Sequence, residues 1–358
     1  MRSTVVALVF ALLWQAGSAC AQPDAGGIVT ADEVMALPAP LRERLQTQVL
    51  HGSPGPHERL ERLGAFMFAP EGLGMNYVEN ANLTVAQAYE SRTANCLTFT
   101  LLFLALAKEA GLEATPQEIE QILGFRQADG TLYLSNHVNA SVRVGGRRYT
   151  VDVAGDQIIP RDRPKPITRT RLIAHYYNNL AIERLALADY AGALSLLDIA
   201  LALDPGYAAY WSNAGVVRTR NGDPRDGEKD YRHALALDPD NTNALFNLAG
   251  LAARMGDRSL EVEYRKRLAK IQRSDPFHAF VQAVNAENAG DLSRAIREYR
   301  RAVALQPQEH RFHSALANAY LKAGKTALAI RSLARAQALT DGDTRAAYSQ
   351  RLDALRAR

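Results

Sequence analysis

The sequence predicts an α+β domain followed by an all-α repeat domain, and three observations carry that division. An apolar helix headed by Cys96 is followed by a tight, alternating hairpin, which together describe a mixed helix and sheet domain. Beyond a charged, proline-rich stretch the chain turns periodic, with Gly222, Gly256, Gly290 and Gly324 each 34 residues apart. The composition, 47% hydrophobic and 22% charged over 358 residues, is that of ordinary folded protein with room for two domains.

Residues 1–21 read as a secretory signal peptide. Arg2 supplies the charged start, Val5 to Trp14 the apolar run, and Ala16-Gly-Ser-Ala-Cys20-Ala the small-residue end. The run is too short to span a bilayer. Two endings fit. Cleavage after Ala21 releases a free protein, whereas Ser18-Ala19-Cys20 resembles the end of a bacterial lipoprotein signal and puts a lipid on Cys20. On either branch the chain is expected in the periplasm of a Gram-negative bacterium, and the only membrane attachment foreseen is a lipid on Cys20. The chain has two cysteines, so export leaves Cys96 without a partner. A lone thiol in an oxidising compartment reads as a reactive one.

After a Gly/Ala/Pro-rich leader, Thr30-Ala-Asp-Glu33 has the pattern of a capping box, and helical segments are expected to about Phe68, broken at Gly52, Pro54, Gly55 and Pro56. Ala69 to Gly74 is a loop, and Thr84-Val-Ala-Gln87 opens a short helix toward Ser91. From Cys96, the apolar residues Phe99, Leu102, Phe103 and Leu106 recur at helical spacing until Gly111 stops the run. Cys96 therefore occupies a helix N-terminus, where unpaired N–H groups carry about half a positive charge and favour the nucleophilic thiolate.

Further on, His137 to Val144 alternates, Gly145-Gly146 makes a two-residue turn, and Arg147 to Val153 alternates again. With Val144 opposite Arg147, Val142 meets Tyr149 and Ala140 meets Val151 on a core face. The other face brings Asn139 opposite Asp152, with His137 two residues along, about 7 Å away on the diagonal. A helix-terminal cysteine with a histidine and an acid from one hairpin is the constellation of a Cys-His-Asp triad. Asp152 orients the ring of His137, and His137 draws the proton from Cys96 and returns it to the leaving group.

These residues resemble the bacterial transglutaminase-like superfamily, which has a papain-like fold. The match is carried by Arg92-Thr-Ala-Asn-Cys96 with its apolar helix and Gly111-Leu112, by His137 at the start of a strand, and by Tyr149-Thr-Val-Asp152. The resemblance covers roughly residues 69–156 and implies a transglutaminase-like domain over 22–168 with catalytic Cys96, His137 and Asp152. Animal cross-linking transglutaminases carry Gln before and Trp after the cysteine, where this chain has Asn95 and Leu97. That departure favours a cysteine peptidase or amidase over a cross-linking enzyme. Asn95 or the backbone N–H of Cys96 is the candidate oxyanion donor.

Pro160 to Pro166 holds three prolines and four charges in seven residues and reads as a linker. Past it, residues 169–358 carry the 34-residue period, with Ala188 one step ahead of the glycines. Tyr177, Leu180, Ala193, Leu197, Ala200 and Pro205 fit a first helix-turn-helix unit, and Trp211, Gly215, Tyr231, Ala234 and Pro239 fit a second. Units of this length and pattern resemble tetratricopeptide repeats. About five run from Ala174 to Gly342, with a capping helix after them. Such units stack around a groove that binds a protein or peptide. By register Asn178, Ser212, Phe246, Phe280 and Ser314 should line it, with Arg220, Arg254 and Lys322 further along the same helices. Asn179, Asn213 and Asn247 share the period and are expected to be structural hydrogen-bonders.

A net charge of +4 without a Lys/Arg run or interleaved aromatics argues against nucleic acid. No His-Glu-x-x-His and no Gly-x-Ser-x-Gly occurs, so neither a metal nor a cofactor is foreseen. Two functions stay open. One is an exported thiol hydrolase acting on a peptide or amide bond, with the repeats binding a protein substrate or partner. The other is an inactive transglutaminase-like and repeat scaffold for protein–protein interaction in the cell envelope.

Overall fold

A computed structural model describes residues 27–52, 54–125, 132–153 and 158–357. Residues 1–21, read above as a signal peptide, and Cys20 among them lie outside the described residues. The described residues fall into two compact units, the first within 27–124 and 135–247, the second comprising 125, 132–134 and 248–357.

The first unit begins with three helices, α1 (Ala31–Val34), α2 (Ala39–Gln48) and α3 (Pro56–Phe68). The Glu33 carboxylate accepts from both the N–H and the hydroxyl of Thr30, as the capping pattern requires. Strand β1 (Asn76–Tyr77) precedes α4 (Val85–Ser91). The capping box of α4 is complete: Gln87 N–H donates to Thr84 Oγ1 at 3.2 Å and Thr84 N–H to Gln87 Oε1 at 2.9 Å. Arg92 takes a left-handed turn at φ 56° and delivers the chain into β2 (Thr93–Ala94), which runs parallel to β1.

Next comes α5 (Cys96–Glu109), in which every residue from Leu97 to Ala107 is buried. A helix apolar all round can only sit inside a core. Here Phe99, Leu102, Phe103 and Leu106 share one cluster with Leu41 and Leu45 of α2 and with Leu63 and Met67 of α3. Gly111, at φ 66°, closes the helix, and the Leu112 N–H reaches back to the Ala107 carbonyl at 2.9 Å.

A five-stranded sheet completes this part: β3 (Glu113–Phe125), β4 (Leu132–Val144), β5 (Arg147–Val151), β6 (Ile158–Pro160) and β7 (Lys165–Pro166). Its order is β5-β4-β3-β6, with β7 also pairing β3. The hairpin register is the one counted from the sequence, Val144 opposite Arg147, Val142 opposite Tyr149 and Ala140 opposite Val151. Gly145 and Gly146, at φ 57° and 76°, make the turn. The stretch expected as a linker is instead used as edge strand. Pro160 and Pro166 pair antiparallel with Ile122 and Gln117 of β3. Proline is tolerated there because an edge strand has one side free of ladder bonds.

The repeats follow as helix pairs: α6 (Arg169–Ala186) with α7 (Tyr190–Leu203), α8 (Ala208–Arg220) with α9 (Pro224–Leu237), then α10 (Thr242–Met255) and α11 (Arg258–Arg273). Two more pairs, α12 (Pro276–Asn288) with α13 (Leu292–Leu305) and α14 (His310–Lys322) with α15 (Thr326–Ala338), precede the capping helix α16 (Gly342–Arg356). The boundary drawn at residue 168 separates two sequence patterns and not two cores. Leu172, Tyr177, Leu197 and Tyr210 of the first repeats belong to the same hydrophobic cluster as α5. A buried polar cluster adds to this junction. Glu118 of β3 accepts from the Tyr207 hydroxyl and lies 3.5 Å from His175 Nε2, whose Nδ1 pairs with the Tyr210 hydroxyl at 2.9 Å. Burial works to raise the Glu118 pKa. The contacts from His175, Tyr207 and Asn136 outweigh it and hold the carboxyl below its ordinary value. No helix among the described residues is long and apolar enough to cross a membrane.

The 34-residue period has a backbone cause. Gly222, Gly256, Gly290 and Gly324 all sit at φ between 69° and 93°, and Ala188 holds the same left-handed place at φ 58°. The next residue then donates to a carbonyl five positions back, as in Asp189 to Arg184, Asp223 to Arg218 and Asp291 to Ala286. Those aspartates also cap the second helix of each pair, accepting from Gly192, Asp226 and Arg294 N–H. An alanine in the left-handed region costs about 1–2 kcal/mol, offset by the smaller backbone entropy it loses on folding. Ala188→Gly is therefore expected to raise stability by about 0.5 kcal/mol and Gly222→Ala to lower it by about 1 kcal/mol, checked by thermal and urea melts.

Candidate functional site

Cys96 is the first residue of α5, and the cap before it is Asn95, whose Oδ1 accepts from Thr98 N–H at 2.9 Å. Thr100, one turn in, donates its hydroxyl to the Cys96 carbonyl at 2.7 Å and also lies 3.3 Å from the Val138 carbonyl of β4. One side chain thus ties the first turn of the cysteine helix to the strand residue beside His137. The loop before α4 is pinned to the same turn. Thr98 Oγ1 donates to the Ala81 carbonyl at 2.6 Å and accepts from Leu83 N–H at 2.9 Å.

His137 is 2% exposed and its Nε2 lies 2.9 Å from both carboxylate oxygens of Asp152. Asn139, directly opposite by register, donates from Nδ2 to Asp152 Oδ2 at 3.0 Å. Among the described residues its buried Oδ1 finds no partner. Nε2 is committed to the acid, and the half-buried Cys96 is close enough to the ring to favour its charged form. Burial works against the charged imidazolium. The Asp152 carboxylate and the Cys96 contact outweigh it and push His137 up to about 10.

His137 and Asp152 pair directly, and Cys96 acts on the same ring from the first turn of α5. Asn95 does not serve as the oxyanion donor expected of it. It is 5% exposed, and its Nδ2 is spent on Asn82 Oδ1 at 2.7 Å and on the Glu79 carbonyl at 3.3 Å. The backbone N–H of Cys96 lies in the first turn of α5, where helix N–H groups have no intrahelical partner. Asn82, Thr100 and Asn139 were not singled out as functional from the sequence, because their partners are 13–38 residues away in the chain.

The groove positions divide. Phe246 is 67% exposed and Arg220 and Arg254 are exposed, while Asn178 is half-buried and accepts from Asn213 Nδ2 at 2.7 Å. Ser314 is half-buried with Arg351 3.4 Å away, and exposed Lys322 pairs with Glu287 at 2.8 Å. Ser212 and Phe280 are corrections. Ser212 is 1% exposed, and Phe280 is 8% exposed, stacked on Phe312 and edge-on to Tyr299, so both belong to the packing of the repeats. A single register position does not stay solvent-facing when the residue sizes around it vary.

Residues 178–224, 217–276 and 280–344 match a family model for tetratricopeptide repeats. These residues are tetratricopeptide repeats. Over 131 residues the chain is 32% identical to cellulose synthase 2 operon protein C of Komagataeibacter xylinus, covering 35% of this chain and 10% of that protein. It is 31% identical over 138 residues to the human protein O-mannosyl-transferase TMTC3, covering 37% and 15%. The chain thus spans 10–15% of the length of these curated relatives. Among solved structures it is similar to YrrB, titled a TPR protein with an unusual peptide-binding site, at 19% identity and a TM-score of 0.26, covering 50% of this chain and 92% of that one. It is also similar to MamA from Desulfovibrio magneticus RS-1, at 16% identity and a TM-score of 0.27, covering 46% and 94%. The family match lies within residues 178–344.

The sign of the His137 linkage is definite. A histidine held near 10 in the folded chain and near its ordinary 6.5 when unfolded adds stability that is full below about pH 6.5 and is lost as pH rises through 10. His137→Gln lacks this component. The stability gap between wild type and variant, read from melts at about pH 6, 8 and 10, should narrow steadily as pH rises.

Proposed function

We propose that this chain is an exported protein-interaction module whose tetratricopeptide repeats hold a protein partner in the bacterial cell envelope. The observation that carries this reading is the repeat match over residues 178–344. Stacked helix pairs present a surface far larger than a small-molecule pocket. Phe246 offers a large exposed apolar side chain at the middle of the matched stretch, and aromatics of this kind anchor protein interfaces. A photo-crosslinking residue placed at Phe246 is expected to give a discrete protein adduct in envelope extracts, absent when the same residue is placed at Glu43 on α2. Equal, diffuse labelling at both positions would count against the reading.

A second reading is favoured by one specific observation, the Cys96, His137 and Asp152 contacts. It makes residues 22–168 a transglutaminase-like thiol hydrolase of a peptide or amide bond, with the repeats bringing the protein substrate. With the proton of the Cys96–His137 pair resting on the ring, the sulfur adds to the carbonyl carbon, and that proton passes to the departing amine as the C–N bond breaks. Water activated by His137 then cleaves the thioester and regenerates the thiol. Iodoacetamide should alkylate Cys96 readily near neutral pH, and His137→Ala should slow it at least about tenfold. Failure of both leaves the scaffold alone.

A further inference from the structure

One polar chain joins the repeats to the cysteine helix. Asn95, the cap before Cys96, gives its Nδ2 to Asn82 Oδ1 at 2.7 Å. The same oxygen accepts from Asn179 Nδ2 at 3.1 Å, and Asn82 Nδ2 donates to Glu183 Oε1 at 2.6 Å. Asn179 and Glu183 lie four residues apart on α6 and so share one face of that helix. Both oxygen and amide nitrogen of Asn82 are thereby set by the first repeat, which also fixes its amide orientation. Asn178, beside Asn179, is in turn bonded to Asn213 of the second repeat.

This arrangement differs from helix stacking alone. Asn179 spends its amide on a loop residue 97 positions earlier, and that loop is also held to the start of α5 through Thr98 and Asn95. The sulfur, the Cys96 N–H and the Asn95 cap all depend on the geometry of that turn. We propose that α6 is a working part of the thiol site: Asn179 and Glu183 position Asn82, and Asn82 positions the Asn95 cap and with it Cys96. The proposal rests on the thiol reading above. It makes all three positioning residues, and it makes the reactivity of Cys96 sensitive to whatever engages the inner helices of the first repeats.

The test is the alkylation rate of Cys96 by iodoacetamide in the full chain, followed from about pH 5 to 10 beside a thermal melt. Asn179→Ala, at a half-buried site, is expected to keep its melting point near wild type. It should slow alkylation near neutral pH about threefold to tenfold and change the shape of the profile, since couplings of this kind run to a few kcal/mol at most. Asn82→Asp sets two carboxylates against each other and should slow the reaction more. Adding Glu183→Gln restores the bond with donor and acceptor exchanged, and the rate should return to within about twofold of wild type. A wild-type thiol no faster than free cysteine would remove the thiol reading itself. A fast wild-type thiol with the same profile in Asn179→Ala, or an Asn82→Asp defect that Glu183→Gln does not relieve, would overturn the role of α6 alone. Should Asn82→Asp fail to fold, Asn179→Ala decides.

Discussion

Burial of α5 is the constraint on which the rest of the first unit depends. Eleven consecutive residues, Leu97 to Ala107, are removed from water, and a fully buried leucine or phenylalanine is worth about 1.5–3 kcal/mol each. Such a helix has no freedom to slide or roll, because its neighbours are close-packed on every side. Its N-terminus is consequently a fixed point. Cys96 inherits that rigidity, and Thr100 passes it across to β4 and so to His137 and Asp152.

The same core reaches into the repeats. Leu172, Tyr177 and Tyr210 pack in one cluster with α5, and Asn82 carries two hydrogen bonds from α6 to the cap of Cys96. The first repeats and the cysteine helix are therefore built on shared material.

Much of this was legible in local pattern. The period-2 hairpin settled which residues oppose each other, and so brought His137 and Asp152 together before any coordinates. The glycine spacing exposed the repeats because a left-handed backbone recurs at each helix end. What was not legible depends on distant partners. Strand β3 is rich in Glu and Gln and carries Pro116, so nothing in it reads as a buried strand. Glu118 is nonetheless 2% exposed, because Tyr207 and His175 of the repeats satisfy it. The prolines of β6 and β7 likewise mask edge strands. Asn95, read as an oxyanion donor, is instead the cap of α5, with its amide claimed by Asn82, thirteen residues earlier. Phe280 and Ser212 show the limit of register on a repeat, where the size of the neighbours decides which side chain is covered.

The central claim is that the buried helix holds its terminal thiol against a histidine anchored by Asp152, so that this ring stays charged well above neutrality. Nitrogen-15 NMR of the His137 ring across a pH titration tests it most directly. The account predicts imidazolium shifts persisting at about pH 8 and disappearing only near 10, with an earlier loss in Cys96→Ser. A ring that becomes neutral near its ordinary value of about 6.5, unchanged by Cys96→Ser, would contradict it.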